Sequence, residues 1–182
     1  PHWLAQRPDA EVVMQVGMFR REKGHHIVLE AIAQLLATRP NVVYVMAGGG
    51  KSDVLIAHIE RLGLQDKVWM GELRAIAPAL RQADVMVMPS LLEPLGMVQI
   101  EALGLAVPVI VSNVGGIPET VTHQQTGLIV DDMSSEAWAH AIDYALSHPD
   151  TMRAWARAGQ TQVRQQFSPE HTTKRLLQLL DV

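Results

Sequence analysis

Two glutamates, Glu93 and Glu101, lie close together in the segment 93–101, which reads EPLGMVQIE. A Pro-x-Gly turn follows the first glutamate, and the small and apolar residues after it predict a helix that begins near Gly96. The first amides of a helix lack intrahelical partners and lie at the positive end of its dipole. A diphosphate could therefore bind the N–H groups of Gly96, Met97 and Val98.

The two carboxylates would then serve different parts of one ligand. Glu101 would lie roughly 7 Å along the helix, at about 1.5 Å per residue, a reach that suits binding of the vicinal hydroxyls of a ribose. Glu93 lies in the preceding loop and could contact another part of the same molecule. The alternative is that both are solvated surface charges, although the apolar neighbours of Glu101 weaken that interpretation.

A second candidate segment is the basic loop 17–24, which reads GMFRREKG. Lys23 stands where the next helix is predicted to begin, and a cation there costs a few tenths to about 1 kcal/mol against the helix dipole. A bound phosphate would remove that cost, so Lys23 is a candidate diphosphate ligand. The alternative is an ordinary solvated basic loop.

Other polar motifs are weaker evidence for a functional site. The segment 112–119 reads SNVGGIPE, and Glu119 near a helix start is explained by the dipole alone. The adjacent His25 and His26 point apart on a helix, and no acid completes a ligand set around them. No metal site is therefore predicted.

The composition excludes several classes of protein. The chain has 182 residues, 48% of them hydrophobic, with a net charge of −4 and no cysteine. A basic stripe for nucleic acid is absent, and so are thiols for disulfides or thiolate metal sites. No apolar run approaches the ~18 residues of a membrane span. Because the chain begins with Pro1 rather than methionine, we expect it to be a piece of a longer protein.

The hydrophobic pattern predicts alternating strands and helices. Continuous apolar runs predict strands over 12–16, 42–47, 68–70, 85–88, 107–111 and 126–130. Helical spacing predicts helices over 24–38, 54–62, 76–82, 96–103, 134–147, 150–167 and 169–180.

This order predicts an α/β fold, a doubly wound, Rossmann-like, six-stranded parallel sheet with helices on both faces. Such sheets bind ligands at the carboxyl ends of their strands. The loops after Val16, Ala47, Met70, Met88 and Val111 should therefore converge on one site. No repeat or linker divides the chain, so residues 1–182 are predicted to form one domain with a helical tail.

Four patterns occur together in one order: Lys23-Gly24, the 89–96 segment PS-x-x-EP-x-G, the Glu-x7-Glu spacing, and the 115–119 segment GGIPE. In this combination the chain resembles the retaining glycosyltransferases of the GT-B fold, group 1 or family 4. The resemblance extends over residues 12–180. It implies that this chain is the C-terminal, donor-binding half of a two-domain enzyme whose N-terminal, acceptor-binding domain is absent from the sequence.

The resemblance implies transfer of a sugar from a nucleoside-diphosphate sugar to an acceptor hydroxyl, with retention of configuration. It implies neither a metal nor another cofactor. The partners would be the donor and, through the missing domain, an acceptor sugar or lipid-linked glycan, with no nucleic acid. A cytoplasmic location is implied, with any membrane attachment peripheral and through the missing domain. The fragment alone should bind a donor but transfer no sugar.

Residue roles follow from the same resemblance. Lys23 would bind the diphosphate, Glu93 would be the catalytic residue at the donor-sugar hydroxyls, and Glu101 would bind the ribose. The stretch 68–73 would line the base. The full donor-binding set is Lys23, Gly17, Arg20, Gly96, Met97, Val98 and Glu101.

One position departs from the pattern. Similar proteins usually carry an arginine directly after the first glycine, five positions before the lysine, and Met18 stands there. Arg20 or Arg21 could substitute for that cation, or donor binding could be weaker.

Other functions stay open. A sugar-nucleotide epimerase of the related fold would share the donor pocket, and a non-catalytic copy of the donor domain would keep the fold and lose the activity. A nicotinamide-dependent oxidoreductase is disfavoured, because the first strand is not followed by Gly-x-Gly-x-x-Gly.

Overall fold

Six strands form the centre of the protein, in a computed structural model that describes residues 2–179. They are β1 (Glu11–Val16), β2 (Val42–Ala47), β3 (Val68–Gly71), β4 (Val85–Met88), β5 (Val109–Ser112) and β6 (Leu128–Val130). All pairings are parallel, in the order β3-β2-β1-β4-β5-β6. The predicted doubly wound sheet is therefore confirmed.

Eight α-helices accompany the sheet within the described residues. They are α1 (His2–Ala5), α2 (His25–Leu35), α3 (Asp53–Arg61), α4 (Ile76–Leu80), α5 (Met97–Gly104), α6 (Ser135–Ser147), α7 (Pro149–Gln166) and α8 (Pro169–Leu179). Two short 3-10 turns, Arg21–Lys23 and Ile117–Glu119, precede α2 and follow β5. None of the helices described is long and apolar enough to cross a membrane.

The sheet separates two hydrophobic cores, which explains why its strands are apolar on both faces. One core packs α2 and α6 against the sheet, with Leu29, Tyr44 and Trp138 fully buried. The other packs α4 and α5 against the opposite face, with Met14 and Leu103 fully buried. The helices thereby fix the strand ends that carry the loops.

Several predicted boundaries shift by one or a few residues. The fifth strand starts at Val109 rather than 107, because the Val107 N–H bonds to the Ala102 carbonyl in the turn that closes α5. The sixth starts at Leu128 rather than 126, because Thr126 is held in a turn by the Thr122 carbonyl. The helix predicted over 24–38 ends at Leu35, whose carbonyl accepts from Thr38 and Arg39. Residue 180, predicted as helical, lies outside the described residues.

The strand order has one reversal, at the pair β1 and β4. Chain connections run outward from this pair in both directions, so the loops that leave β1 and β4 diverge and leave a crevice. Open α/β sheets bind ligands at such a switch point. The crevice lies between the two segments that carry Lys23 and Glu93.

Candidate functional site

A cavity of about 440 Å³ opens where β1 and β4 end. Most of the predicted donor residues line it, namely Gly17, Arg20, Lys23, Glu93, Gly96, Met97 and Val98. Another cavity, of about 430 Å³, lies at the amino-terminal edge of the sheet beside Glu11 and Asp84. Because parallel sheets bind ligands at the carboxyl edge, the first cavity is the candidate site.

Lys23 and Glu93 form an ion pair across this cavity. The Lys23 Nζ donates to Glu93 Oε2 at 2.5 Å, and the two side chains are only 27% and 13% exposed. An ammonium has three donors and a carboxylate two acceptor oxygens. Lys23 therefore keeps N–H groups for phosphate oxygens, while the second oxygen of Glu93 can accept from a sugar hydroxyl.

A buried glutamine holds the turn that carries Lys23. Gln15, on β1, is 1% exposed, and its side-chain amide donates to the Lys23 carbonyl at 2.7 Å. The Tyr44 hydroxyl donates to the Gln15 side-chain oxygen, and complete burial raises the pKa of Tyr44 well above its ordinary value, so this hydroxyl stays protonated. Gln15 was not predicted as a functional residue, although a lone polar residue in an apolar strand is a signal in the sequence.

Two glycines clamp the Glu93 loop from either side. A Cβ on Gly24, whose φ is +68°, would lie 1.9 Å from the Pro89 carbonyl oxygen. A Cβ on Gly115, whose φ is +53°, would lie 1.8 Å from the Glu93 carbonyl oxygen. No larger residue fits at that separation, so both glycines serve close backbone approach. They explain why Lys23-Gly24 and Gly115-Gly116 accompany the acidic loop in the sequence.

Hydrogen bonds complete this clamp. The Leu91 N–H donates to the Glu22 carbonyl at 2.7 Å, and the Gly116 N–H donates to the Pro94 carbonyl at 2.9 Å. The loop 89–96 is thereby bound to the Lys23 turn on one side and to the segment after β5 on the other.

The amino end of α5 faces the cavity. Gly96 is its N-cap residue, with φ +78°, and no side chain caps the first turn. Met97 and Val98, the first helical residues, line the cavity. Their amides are among those that have no intrahelical carbonyl to bond, so they are available to an anion.

The two arginines considered as substitutes for the missing cation lie in different places. Arg20 lines the candidate cavity beside Met18 and also a neighbouring cavity with His25 and Lys51, whereas Arg21 lines that neighbouring cavity but not the candidate cavity. Arg20 approaches Glu22 at 3.8 Å, with 59% and 41% of the side chains exposed, and such surface pairs are weak. Arg20 is therefore free to bind a ligand.

Glu101 does not line the cavity, and its side chain is exposed on α5. Its contact with a ribose stays a prediction, as does the role of the stretch 68–73, which lies around β3 at the edge of the sheet. Glu119 is exposed in the 3-10 turn after β5. Across the described part of the chain, no group of three or more acidic or histidine side chains is arranged to hold a metal ion.

Known proteins match both the sequence and the fold. The sequence is 35% identical to the D-inositol 3-phosphate glycosyltransferase of Segniliparus rotundus over 96% of this chain and 40% of that protein. It is 32% identical to the alpha-maltose-1-phosphate synthase of Mycolicibacterium smegmatis over 92% of this chain and 47% of that protein. The chain thus spans less than half the length of these curated relatives.

The structure is similar to that of Anabaena Alr3699/HepE in complex with UDP-glucose, with a TM-score of 0.88, 26% identity, and coverage of 98% of this chain and 50% of that one. The family model described as "Glycosyl transferases group 1" matches residues 4–162. Because that match covers most of the sequence, the chain belongs to the group 1 glycosyltransferase family.

Proposed function

We propose that this chain is the donor-binding domain of a cytoplasmic glycosyltransferase that moves a sugar from a nucleoside-diphosphate sugar to an acceptor hydroxyl with retention. The observation that carries the proposal is the convergence of the Lys23 ammonium, the Glu93 carboxylate and the start of α5 on one cavity. Residues 1–182 form this domain. An N-terminal domain outside the sequence would bind the acceptor, a sugar or lipid-linked glycan.

The charges of the cavity suit a departing diphosphate. Lys23 and the amides at the start of α5 would stabilise the negative charge that builds as the bond to the sugar breaks. Arg20 would supply the second cation where Met18 stands. These groups are positive without a metal, so we propose that none is required.

Glu93 would orient the donor sugar. Its Oε2 accepts from Lys23, and its other oxygen would accept from a hydroxyl of the sugar next to the bond that breaks. The complex of Anabaena Alr3699/HepE with UDP-glucose supports a sugar nucleotide as the ligand class.

Changing Glu101 to alanine tests the ribose contact. We expect the variant to bind UDP, GDP or ADP, whichever the wild type prefers, about tenfold more weakly, because a charge-assisted hydrogen bond is worth about 1.5–3 kcal/mol. Pyrophosphate has no ribose, so its affinity should not change. Isothermal titration calorimetry measures both, with Glu119→Ala as the matched control on an exposed glutamate outside the cavity. Equal losses for the nucleotide and pyrophosphate would contradict the assignment.

Changing Glu93 to glutamine should affect the two halves of the donor in opposite directions. The variant loses the carboxylate that pairs with Lys23 and repels phosphate, so we expect nucleoside diphosphate affinity to rise about three- to tenfold. The additional affinity that the sugar provides should fall, since a neutral amide oxygen is a weaker acceptor for the sugar hydroxyl than a carboxylate oxygen.

Glu22→Gln is the control for this prediction, because it also removes one negative charge from the cavity wall. It should strengthen binding of UDP and UDP-glucose by the same small factor. If Glu93→Gln also changed both affinities by one common factor, Glu93 would have no role at the sugar.

A further inference from the structure

A second buried glutamine lies beneath the start of α5. Gln99 is fully buried on the inner side of the helix, beside Ala102 and Leu103. Burial of an amide is unfavourable unless it is hydrogen-bonded. Gln99 does not line the candidate cavity, so its polarity needs an explanation other than direct ligand contact.

The Gln99 amide bonds the loop that precedes its own helix. Its Nε2 donates to the Leu95 carbonyl at 2.6 Å and to Thr120 Oγ1 at 3.1 Å. Thr120 is fully buried, and its hydroxyl donates onward to the Ile117 carbonyl at 2.8 Å. A chain of hydrogen bonds therefore connects the loop before α5 with the 3-10 turn after β5.

The Gln99 side-chain amide approaches the Gly96 backbone too closely for any larger residue at position 96. A Cβ on Gly96 would lie 2.3 Å from Gln99 Oε1 and 2.6 Å from Nε2. The glutamine thus packs directly against the backbone that enters α5, where φ is +78°. A leucine at position 99 would fill a similar volume but would leave the Leu95 carbonyl without this donor.

We propose that Gln99, together with Thr120, is a positioning residue for donor binding. The pair fixes the Leu95–Gly96 backbone and so holds the amides of Met97 and Val98 at the cavity. Gln99 and Thr120 would themselves make no contact with the ligand. This inference rests on the proposed function, because it assigns a role to those amides in binding phosphate.

The test combines calorimetry and amide NMR on the whole chain, with the nucleoside diphosphate among UDP, GDP and ADP that the wild type binds best. Gln99→Leu should lower the affinity about tenfold and shift the amide resonances of Met97 and Val98. Thr120→Val should cause a smaller loss, and Thr120→Ser should retain wild-type binding. The double variant Gln99→Leu/Thr120→Val should be no weaker than Gln99→Leu, because the two side chains act as one unit.

Gln160→Leu is the matched control. Gln160 also donates its side-chain amide to a backbone carbonyl of α5, that of Gly104, at 2.8 Å, but at the opposite end of the helix. Its loss should leave the affinity and the Met97 resonance unchanged.

Wild-type affinity and unshifted Met97 and Val98 amides in Gln99→Leu would overturn the inference. If Gln99→Leu fails to fold, Thr120→Val provides the test. Wild-type affinity in Thr120→Val would overturn the inference too, if that substitution affects stability alone and its effect adds to that of Gln160→Leu. Should the wild type bind none of the three nucleotides, the proposed function fails, and the shift of the Met97 and Val98 amide resonances in Thr120→Val still decides whether the Gln99–Thr120 pair positions them.

Discussion

Replacing Lys23 with methionine is expected to lower the affinity of this chain for a nucleoside diphosphate by about 10- to 100-fold. Hydrogen bonds to charged groups are worth about 1.5–3 kcal/mol, and each 1.4 kcal/mol is about tenfold in affinity. The variant also loses the ammonium that neutralises Glu93 at 2.5 Å. The remaining carboxylate, only 13% exposed, would then repel the diphosphate.

Two further variants separate these contributions. Lys67→Met removes a lysine at the opposite edge of the sheet, where its Nζ donates to the Pro40 carbonyl, and should bind as the wild type does. Lys23→Met/Glu93→Gln should recover part of the lost affinity, because the repulsion is removed while the attraction stays absent. Titration calorimetry measures all three, and wild-type affinity in Lys23→Met would show that the cavity holds no phosphate at this end.

Acidification should destabilise the fold through His25, the second large effect. The side chain is 1% exposed, and among the described residues neither ring nitrogen has a hydrogen-bond partner. Burial, and then the charges of His26 and Lys23, lower the pKa of His25 to about 4, from an ordinary value of 6.5. His25 is therefore neutral in the folded protein over a range in which it is charged in the unfolded chain.

The direction follows from proton linkage. Between pH 6.5 and about pH 4 the unfolded state binds more protons than the folded state, so stability falls as the pH falls. From about pH 7.5 to about pH 5, His25 alone should cost about 2 kcal/mol of unfolding free energy. Burial also lowers the pKa of His26, despite the opposing charge of Glu30, which adds to the loss in the same direction.

Urea denaturation at the two pH values measures this effect. His25→Leu should remove most of the pH dependence, whereas His140→Gln, a change at an exposed histidine of α6, should keep it. An unchanged pH dependence in His25→Leu would mean that the pKa of His25 is the same in the folded and unfolded states.

The sheet could be predicted because its strands are buried on both faces. Runs such as Val42–Ala47 are continuously apolar and end at glycine, and the structure reproduces that strand to the residue. The predicted fifth and sixth strands began too early. Pro108 and Thr126 continue the apolar or β-branched pattern, but local turns, rather than their propensities, decide where the sheet begins.

The site was predictable to the level of its loops, since topology brings the ends of β1 and β4 together. The ion pair was not, because Lys23 and Glu93 are separated by 70 positions and no local pattern links them. Gln15 and Gln99 were missed because a single polar residue in an apolar run disturbs its periodicity only slightly. The exposure of Glu101 was not predicted either. Most residues of α5 are small or apolar, and which side of the helix faces solvent depends on how α5 packs against α7.

Calorimetric titration of this chain with UDP, GDP and ADP, each alone and as a sugar conjugate, tests the donor-binding proposal most directly. We expect at least one of them to bind with a dissociation constant of about 1 mM or lower, equivalent to about −4 kcal/mol, and we expect Lys23→Met to weaken that binding. The proposal would be contradicted if, at millimolar concentrations, none of these ligands produced heat in calorimetry or shifted the NMR resonances of the Met97 and Val98 amides.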